Sequence, residues 1–371
     1  MQFSIKRDIL LKSLNFVQGV VEKKNTLPIL SNVLLHLKDK KLEIVATDLD
    51  IIFYDEIDQV NVIKEGSTTT SAAVLFDILR KISSGSDINF DLKSKNKLSL
   101  NSDKSDFNLL CLPTDNFPSF EDNFDVQEIP LENKRFTKLL NKTKIAISND
   151  DTRHYLNGVF LHLTENQGKT YLTGVATDSH RLSSSSLEIN NTNDFSSVIL
   201  PRKTVFQLLS LLTENSNNLT MQIRENQIKF KIGNNKLISK VIDGKFPDYK
   251  KVVPLKNEKT LVVSSKEFVG SIERVTSVSI DRKEGVKLLL NKDNVQLSVN
   301  SANSGEGNEK IKANFNSENL NISFNSKYLI DIANELEDKN LKMNLKDSVS
   351  PVLIQDASDK NSYYVIMPMK I

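Results

Sequence analysis

Tryptophan is absent from this chain of 371 residues, and cysteine occurs once, as Cys111. A single cysteine excludes an internal disulfide framework. No run of about 18 apolar residues occurs, which excludes an apolar membrane-spanning helix. Lys6, Arg7 and Asp8 stand where a signal peptide would need an apolar stretch. Together these absences predict a cytoplasmic protein with no membrane association.

The common catalytic and cofactor motifs are also absent: GxxxxGK[ST], GxGxxG, HExxH, GxSxG and CxxC. No cofactor and no enzymatic activity are therefore expected. Cys111 lies in a Leu-Leu-Cys-Leu stretch, which indicates a buried apolar side chain in a strand.

One group of residues leaves a catalytic alternative open. Asp178 and His180, together with Asp48, could bind a metal ion for phosphodiester hydrolysis, as in a metal-dependent nuclease. Asp48 and Asp178 follow strands in equivalent turns, where Asp usually caps local backbone groups. We therefore favour a structural role for them and expect no metal site.

Three diverged copies of one unit are present, and four landmarks recur in the same order. The first is a short strand and an amphipathic helix, at residues 2–21, 128–148 and 260–280. The second is a hairpin-like strand pair, at residues 34–46, 159–176 and 286–300. The third is another helix, at residues 72–82, 202–212 and 326–336. The fourth is another strand pair, at residues 88–112, 219–241 and 341–367.

The repeat length of about 120 residues is enough for a complete domain with its own core. Two helices and many alternating strands in each copy predict an α+β fold, with helices packed on antiparallel sheet. The predicted domains are residues 1–125 (N-terminal), 126–253 (central) and 254–371 (C-terminal).

Charge is unevenly distributed among the three copies. The net charge is +2 overall but −4, +6 and 0 in the successive predicted domains. Lys134, Lys138 and Lys142 are spaced four apart on one predicted helix, and no acidic residue lies between Glu132 and Asp150. This pattern favours a face that contacts phosphates, although a solvated face remains the alternative.

No base-reading motif accompanies these basic residues, which excludes zinc fingers, basic leucine zippers and RNP-type sheets. Smaller basic clusters lie at other helix ends, at Lys6 and Arg7, at Arg80 and Lys81, and at Arg202 and Lys203. The expected DNA contact is with phosphates, and is sequence-independent and salt-sensitive. On these grounds, the alternative is a structural DNA-binding protein that binds the surface of DNA without enclosing it.

Specific motifs resemble the β subunit of bacterial DNA polymerase III, the sliding-clamp family, along the whole chain. They are Thr26-Leu27-Pro28-Ile29-Leu30, Arg153-His154-Tyr155-Leu156-Asn157-Gly158, Ala176-Thr177-Asp178-Ser179-His180-Arg181-Leu182, Pro201-Arg202-Lys203, Asp243-Gly244-Lys245-Phe246-Pro247-Asp248-Tyr249 and Met367-Pro368-Met369-Lys370-Ile371. The resemblance implies a head-to-tail homodimer that closes into a ring of six DNA-clamp domains around double-stranded DNA. Such a clamp is a processivity factor that tethers the polymerase and catalyses no reaction.

The resemblance, combined with the basic pattern, yields a predicted DNA-binding set. It comprises Lys24, Arg80, Lys134, Lys138, Lys142, Asp150, His154, Tyr155, Arg202 and Lys203. Ala73 and Asp150 stand where relatives often carry basic or polar DNA-contacting groups.

The resemblance also implies a pocket for short peptides from the DNA polymerase III α subunit, the clamp-loader complex and repair proteins. The matching positions are Arg153, Tyr155, Leu156, Thr177, Ser179, His180, Arg181, Leu182, Pro247, Val252, Val349, Pro351, Val365, Ile366, Met367, Pro368 and Met369. An apolar groove with methionines suits a site that accepts several sequences. For Met367, Pro368 and Met369, the alternative is that they form a terminal edge strand that only packs against the protein.

For the dimer contact, the resemblance implies Phe107 and Leu109 in the first domain against Val275 and Val278 in the third. Ser277 stands where relatives often carry a large apolar residue, which predicts a weaker dimer.

Overall fold

The computed structural model describes residues 1–22, 27–120, 122, 124–190, 196–215, 218–279, 285–301 and 304–370. These residues form six α-helices and 25 strands. The helices are α1 (Arg7–Val20), α2 (Ala72–Lys81), α3 (Asn133–Lys144), α4 (Arg202–Glu214), α5 (Ser265–Thr276) and α6 (Ser326–Asn334). None of the helices in these ranges is long and apolar enough to cross a membrane.

The strands fall into three successive groups. The first is β1 (Gln2–Lys6), β2 (Asn32–Lys38), β3 (Lys41–Thr47), β4 (Ile51–Ile57), β5 (Val60–Lys64), β6 (Gly66–Ser71), β7 (Asp87–Ser94), β8 (Lys97–Ser102) and β9 (Ser105–Leu112). The second is β10 (Ile129–Leu131), β11 (Gly158–Asn166), β12 (Lys169–Thr177), β13 (Arg181–Glu188), β14 (Val198–Pro201), β15 (Leu219–Arg224), β16 (Gln227–Ile232) and β17 (Asn235–Lys240). The third is β18 (Lys259–Ser264), β19 (Gly285–Asn291), β20 (Asn294–Ser301), β21 (Gly305–Phe315), β22 (Leu320–Asn325), β23 (Asn340–Leu345), β24 (Val352–Asp356) and β25 (Asp359–Ile366).

The chain divides into two compact units. Unit 1 contains Met1–Lys134 and Lys203–Val241, and unit 2 contains Arg135–Arg202 and Ile242–Ile371. Unit 1 holds a 13-stranded antiparallel sheet in the order β10-β15-β16-β17-β4-β3-β2-β6-β9-β8-β7-β1-β5. Unit 2 holds a 12-stranded sheet in the order β14-β11-β12-β13-β25-β24-β23-β18-β21-β20-β19-β22.

The helices of unit 1 lie on its sheet through one apolar face each. Leu10, Leu14 and Val17 of α1 follow the i, i+4, i+7 spacing of a helix face and are fully buried. The hydroxyl of Ser71 accepts a hydrogen bond from the Val74 amide and caps the start of α2. Helices α1 and α2 pack against each other and against this sheet.

Unit 2 repeats the same construction. Phe268, Ile272 and Val275 of α5 show the same spacing and are buried in the core of the unit. Ser264 caps α5, and the side chain of Asn325 caps α6. Pairs of helices on antiparallel sheet confirm the predicted α+β fold, and the predicted hairpins are present as β2–β3, β11–β12 and β19–β20.

Candidate functional site

The predicted pocket residues all lie in unit 2, around a buried apolar cluster. Leu156, Leu182 and Val365 are buried members of this cluster. Other predicted pocket side chains are large, apolar and exposed; they are Val252 (52%), Val349 (63%), Met367 (41%) and Met369 (37%). Several such side chains within one predicted site are typical of a surface that binds an apolar partner.

Antiparallel pairing between β13 and β25 brings the two predicted halves of the site together. Arg181 lies opposite Ile366, and Leu182 lies opposite Val365. The side chain of Ile366 is fully buried in the core of unit 2. Its prediction as a side-chain contact of the pocket is therefore wrong, because alternation along the strand turns Val365 and Ile366 to opposite faces.

Backbone hydrogen bonds continue this pairing past the end of β25. The Met367 amide donates to the carbonyl of His180 at 2.8 Å, and the Met369 amide donates to the carbonyl of Ser323 at 2.8 Å. The segment Met367-Pro368-Met369 is thus held in a fixed path, although both methionine side chains remain exposed.

A tight turn at Thr177–Arg181 forms one side of the site. Thr177 Oγ1 donates to the Arg181 carbonyl at 2.7 Å and accepts from the Ser179 amide at 3.2 Å. Asp178 Oδ1 accepts from the amides of His180 and Arg181, each at 2.9 Å. Ser179 has φ 77°, in the left-handed region. These bonds fix the backbone of the turn and leave the His180 side chain exposed.

Arg181 is almost buried and is held on three sides. Its Nε lies 3.1 Å from Asp178 Oδ2, and its Nη1 lies 2.7 Å from Asp331 Oδ2. Its guanidinium carbon lies 4.2 Å from the centre of the Tyr328 ring. Burial, together with the charge of Asp178, raises the pKa of Tyr328. Sequence reasoning missed Tyr328 and Asp331, because two polar residues on α6 carry no signal until their partner is known.

Two further predicted pocket residues lie on connections between elements. Pro247 precedes the 3₁₀ turn Tyr249–Val252, and its carbonyl accepts from the Tyr249 amide at 2.8 Å. The carbonyl of Pro351 accepts from Asn257 Nδ2 at 2.9 Å. Both prolines are therefore fixed by backbone contacts within unit 2.

Asp150 has a different role from the one predicted. Its Oδ2 accepts from Arg153 Nε at 2.9 Å, and its Oδ1 accepts from the Thr152 amide at 3.0 Å. Hydrogen bonds from Thr152 and Arg153 hold the pKa of Asp150 below its usual range. An ionised carboxylate repels phosphate, which argues against the predicted DNA contact of Asp150, and its partner is the predicted pocket residue Arg153.

His154 and Tyr155 lie in the same 3₁₀ segment, Asp151–Leu156. Nε2 of His154 lies 3.2 Å from the carbonyl oxygen of Asp243, and Tyr155 packs partly buried against the apolar cluster. Gly244 has φ 150°, and a Cβ built there would lie 3.0 Å from the Tyr155 Cβ. Glycine is therefore required for this close approach.

The predicted lysine stripe on α3 does not lie on one exposed face. Lys134 is exposed, whereas the Lys142 side chain is only 2% exposed. Four residues advance about 400° around a helix, so positions eight apart differ in direction by about 80°. This rotation turns Lys142 into the interior of unit 2, and its prediction as a DNA contact is wrong.

Lys142 and Lys138 form an ion-pair network with carboxylates of the last strands. Nζ of Lys142 lies 3.2 Å from Asp356 Oδ2 and 2.8 Å from Asp359 Oδ2. Lys138, which is 36% exposed, lies 2.9 Å from Glu337 and 3.0 Å from Asp359. Burial alone would raise the pKa of Asp359, but hydrogen bonds from both lysines lower it well below its usual value. The prediction of Lys138 as a phosphate contact is thus weakened by its two carboxylate partners.

Lys203, in unit 1, is also engaged inside the protein. Its Nζ lies 2.5 Å from Asp48 Oδ2 and donates to the Val20 carbonyl at 2.9 Å, with Glu22 at 3.8 Å. Asp48 and the Val20 carbonyl take two of the three ammonium hydrogens, whereas Glu22 lies beyond hydrogen-bond distance, and the side chain is 37% exposed. These partners weaken the prediction of Lys203 as a DNA contact.

The other predicted DNA contacts differ in their surroundings. Arg80 is 61% exposed and lies 3.3 Å from Asp77. Arg202 begins α4, and its amide donates to the Asn157 carbonyl at 2.9 Å. Lys24 lies outside the residues that the structure describes.

The turn of the pocket has a counterpart in unit 1, at Thr47–Ile51. Thr47 Oγ1 donates to the Ile51 carbonyl at 2.9 Å, and Asp48 Oδ1 accepts from the amides of Asp50 and Ile51 at 2.9 and 2.7 Å. Leu49 has φ 78°, like Ser179. Both acidic residues of the proposed nuclease site, Asp48 and Asp178, therefore cap their own turns, and no cluster of three potential metal ligands occurs in the described ranges.

Different side chains lie beside the two turns. The Lys240 amide donates to the Asp50 carbonyl at 2.8 Å, as the Met367 amide does to His180. Nζ of Lys240 also pairs with Asp50 Oδ1 at 2.9 Å. An ion pair therefore occupies in unit 1 the position that an exposed histidine and methionine occupy in unit 2.

Two of the four predicted dimer residues are buried within the chain. Leu109 is 6% exposed and Val275 is 3% exposed, so neither side chain is available to a partner, and their prediction as interface side chains is wrong. Val278 packs partly buried on the core of unit 2, and Phe107 is partly exposed. Leu110, on the opposite face of β9 from Leu109, is 85% exposed.

Comparison with known proteins identifies the family. Three domain models of the DNA polymerase III beta subunit match in order: the N-terminal domain at residues 1–121, the central domain at 130–248 and the C-terminal domain at 250–370. The beta sliding clamps of Caulobacter vibrioides and Escherichia coli are each 34% identical, with all of both chains covered. The crystal structure of a sliding clamp from Bartonella birtlesii bound to griselimycin has 37% identity and a TM-score of 0.95 over the full length of both chains.

The repeated α+β units and the exposed apolar side chains around the buried cluster of unit 2 define a non-catalytic protein that acts by binding. The chain belongs to the DNA polymerase III beta subunit family, the beta sliding clamps. It is accordingly a processivity factor of DNA replication, and the nuclease alternative receives no support, because the relatives named above are all clamps.

Proposed function

We propose that two copies of this chain close head to tail into a ring of six domains around double-stranded DNA. The ring tethers the replicative polymerase to its template, and it does so by raising the local concentration of the polymerase at the primer end. The observation that carries this proposal is the match of three successive clamp domains over residues 1–370. A cytoplasmic location follows from this role.

The DNA contact is proposed to be with phosphates alone, which allows sliding because no base contact fixes the register. The residues retained for this surface are Lys24, Arg80, Lys134, His154, Tyr155 and Arg202. The exposure of Lys134 and Arg80 supports their inclusion. Lys138 is retained only as a secondary contact, since it already has carboxylate partners.

The ring is proposed to close through strand edges. β9 pairs with β8 along Ser105–Leu110, but in the described ranges it pairs with β6 only through Cys111 and Leu112. β21 pairs with β20 over Gly305–Lys312 and with β18 only from Ala313 onward. Each strand therefore offers a stretch of unpaired edge, which is suited to antiparallel pairing between two copies.

A groove beside the β9 edge supports this arrangement. It has a volume of about 740 Å³ and is lined by α2 and the β8–β9 turn, including Val74, Ile78 and Phe107. Leu110 is an exposed apolar side chain on the other face of β9, where it would lie beside a strand of the second copy paired to the β9 edge. We propose that a second copy of the chain places the segment around Val278 in this groove. Because Ser277, next to Val278, has a small side chain, the contact buries less apolar surface than it would with a large apolar residue at this position.

The groove around Leu156, Leu182, Val365 and Met367 is proposed to bind short peptides. Its partners are the DNA polymerase III α subunit, the clamp loader and other replication and repair proteins. Exposed apolar side chains beside a fixed turn support binding of an apolar peptide segment, with the two methionines adapting to different sequences.

Topology distinguishes a ring from an open DNA-binding protein. The protein is loaded on circular nicked DNA with a clamp loader and ATP, and the complex is isolated by gel filtration. We expect the protein to remain on the circle and to leave once a restriction enzyme linearises the DNA. Retention on linear DNA would contradict the ring. Cleavage of DNA with added magnesium or manganese, lost in His180→Ala, would instead support the nuclease.

A further inference from the structure

His162, on β11, stands in a row of four aromatic side chains in unit 2. The rings of Phe160 and Phe246 are stacked with their centroids 4.8 Å apart, and those of Phe160 and His162 are stacked at 4.7 Å. The Tyr249 ring comes next, with its centroid 5.7 Å from that of His162 and its plane tilted by 62°. Phe246 and Tyr249 are buried members of the apolar cluster around which the predicted pocket residues lie.

Two hydrogen bonds fix the imidazole of His162. Its Nδ1 lies 3.0 Å from the carbonyl oxygen of Leu163, and its Nε2 lies 3.0 Å from the hydroxyl oxygen of Tyr249. A carbonyl oxygen only accepts, so Nδ1 carries the hydrogen, and Nε2 of the neutral ring accepts from the Tyr249 hydroxyl. Burial lowers the pKa of His162, against the hydrogen bond to Leu163, and the positive charge of Lys250 lowers it further. The ring is therefore neutral at pH 7.

Tyr249 begins the 3₁₀ turn Tyr249–Val252, and Val252 is an exposed side chain of the proposed peptide groove. The turn has four residues, and the bond that closes its end, from the Val253 amide to the Lys250 carbonyl, is 3.4 Å long. Hydrogen bonds within a 3₁₀ turn have poor geometry and hold it weakly. The position of the turn therefore depends on how the buried Tyr249 side chain is fixed, and His162 fixes its hydroxyl.

We propose that His162 is a positioning residue of the peptide groove, which acts through the Tyr249 hydroxyl to hold Val252 where a docking peptide contacts it. The inference rests on the proposed peptide-binding function and adds a residue behind the groove. Protonation of His162 places a hydrogen on Nε2, so the Tyr249 hydroxyl can no longer donate to it. A buried hydroxyl that loses its acceptor costs free energy, so acid should loosen the turn and weaken peptide binding.

The other titratable groups beside this pair belong to the turn region and to β25. Lys250 acts on His162, whereas Asp248 and Tyr363 act on Tyr249, whose pKa is raised mainly by burial. Aspartate, lysine and tyrosine side chains ordinarily keep one charge state between pH 5 and pH 8. Among these groups, His162 is thus the one that changes its charge in that range.

The test measures the affinity of a labelled apolar peptide by fluorescence anisotropy. The peptide is acetylated, amidated and free of titrating side chains. His162→Phe keeps a ring in the row but has no acceptor, and we expect it to weaken binding about 3- to 10-fold at pH 7.5, the factor that corresponds to one hydrogen bond. Tyr249→Phe removes only the hydroxyl and should have the same effect. The double variant should bind no more weakly than either single variant, because both changes remove the same bond.

His162→Gln provides a readout that a purely packing role would not alter. The side-chain oxygen of Gln can accept from the Tyr249 hydroxyl and does not titrate, so the affinity at pH 7.5 should stay within about 2-fold of the wild type. Between pH 7.5 and pH 5 the wild type should lose about 3- to 10-fold more affinity than His162→Gln, again the factor for one hydrogen bond. His154 and His180 are present in both proteins, so the difference between the two pH curves belongs to His162.

Two outcomes would overturn the inference. One is unchanged affinity in both His162→Phe and Tyr249→Phe, and the other is the same pH curve for the wild type and His162→Gln. Circular dichroism checks the folding of each variant, and Tyr249→Phe, which adds no bulk, decides if His162→Phe does not fold. Failure of the underlying function looks different, because the wild type itself would then not bind the peptide, or would bind it equally well after deletion of residues 367–371.

Discussion

The ammonium nitrogen of Lys142 lies 2.8 Å from the carboxylate of Asp359, and the two side chains are 2% and 9% exposed. Asp356 approaches the same nitrogen at 3.2 Å. This pairing joins α3 to the hairpin of β24 and β25, and β25 leads directly to Met367. A lysine predicted to contact DNA therefore supports the strand that carries part of the proposed peptide groove.

Replacing Lys142 with Ala should destabilise unit 2 strongly. Two carboxylates would lose their buried partner, and breaking such a pair typically costs about 3–5 kcal/mol. Urea denaturation followed by circular dichroism measures the change. Lys134→Ala, on the same helix but exposed, is the matched control and should change the stability by less than about 0.5 kcal/mol. Equal effects of the two substitutions would mean that Lys142 is not part of a buried network.

Acid should weaken the same network. The pKa of Asp359 is lowered in the folded protein, because hydrogen bonds from Lys142 and Lys138 outweigh the effect of burial. A carboxyl with a lowered folded-state pKa stabilises the protein above its unfolded-state pKa of about 3.9, and this stabilisation is lost as the pH falls further. The difference in unfolding free energy between the wild type and Asp359→Asn should therefore be largest near neutral pH and shrink below about pH 4. A difference that stays constant down to pH 3 would contradict this.

Lys134→Glu should weaken retention on DNA. Each lost phosphate contact reduces the slope of log affinity against log salt by about 0.9, so two copies in a ring should reduce it by about 1.8. Binding to duplex DNA at several salt concentrations gives this slope. Lys95→Glu, at an exposed hairpin tip between β7 and β8, makes the same charge change elsewhere. If both variants gave the same slope, Lys134 would not face the DNA.

Leu110→Glu should weaken the dimer by at least about 10-fold without altering the fold of the chain. Leu110 is 85% exposed, so a charge there costs little in a free chain but would be buried in the proposed contact. Sedimentation velocity over a dilution series measures dimerisation. The adjacent Leu109→Ala is the control: its side chain is 6% exposed, so it should lower stability by about 2–4 kcal/mol instead. A Leu110→Glu protein that dimerises like the wild type would place the contact elsewhere.

Deleting residues 367–371 should abolish peptide binding and leave folding and dimerisation intact. The deletion removes two exposed methionines and two backbone bonds, to His180 and Ser323, and none of the side chains of residues 367–370 is buried. Anisotropy with a labelled apolar peptide reports binding. Leu49→Ala, in the equivalent turn of unit 1, should leave that affinity unchanged. Unaltered peptide binding after the deletion would show that the groove lies elsewhere.

Periodicity and repetition predicted the helices, the hairpins and the α+β architecture, because these depend on local alternation of apolar residues. Side-chain orientation was less predictable. The spacing of Lys134, Lys138 and Lys142 suggested one face, but only the packing shows that the helix turns its last lysine inward. In β9, the alternation between Leu109 and Leu110 was visible, yet the sequence did not show which of the two faces the core.

Partnerships between distant residues were the least predictable part of the site. The motif containing Arg153 pointed to the groove, but nothing in the sequence connected Asp150 and Ser179 through its guanidinium. Tyr328 and Asp331 were missed for the same reason, since their relation to Arg181 exists only after α6 packs beside β13. Such contacts depend on the folded arrangement of segments more than 20 residues apart.

The turn at Thr177–Arg181 and its counterpart at Thr47–Ile51 share their backbone, but only the first lies beside an exposed methionine. An exposed Lys240–Asp50 ion pair lies beside the second turn instead, and its charges disfavour an apolar ligand there. A ring of two chains would therefore offer two docking places and not four. The number of proteins that can work on one clamp at the same moment is limited accordingly, and polymerase, loader and repair factors have to exchange in order of their affinity and abundance.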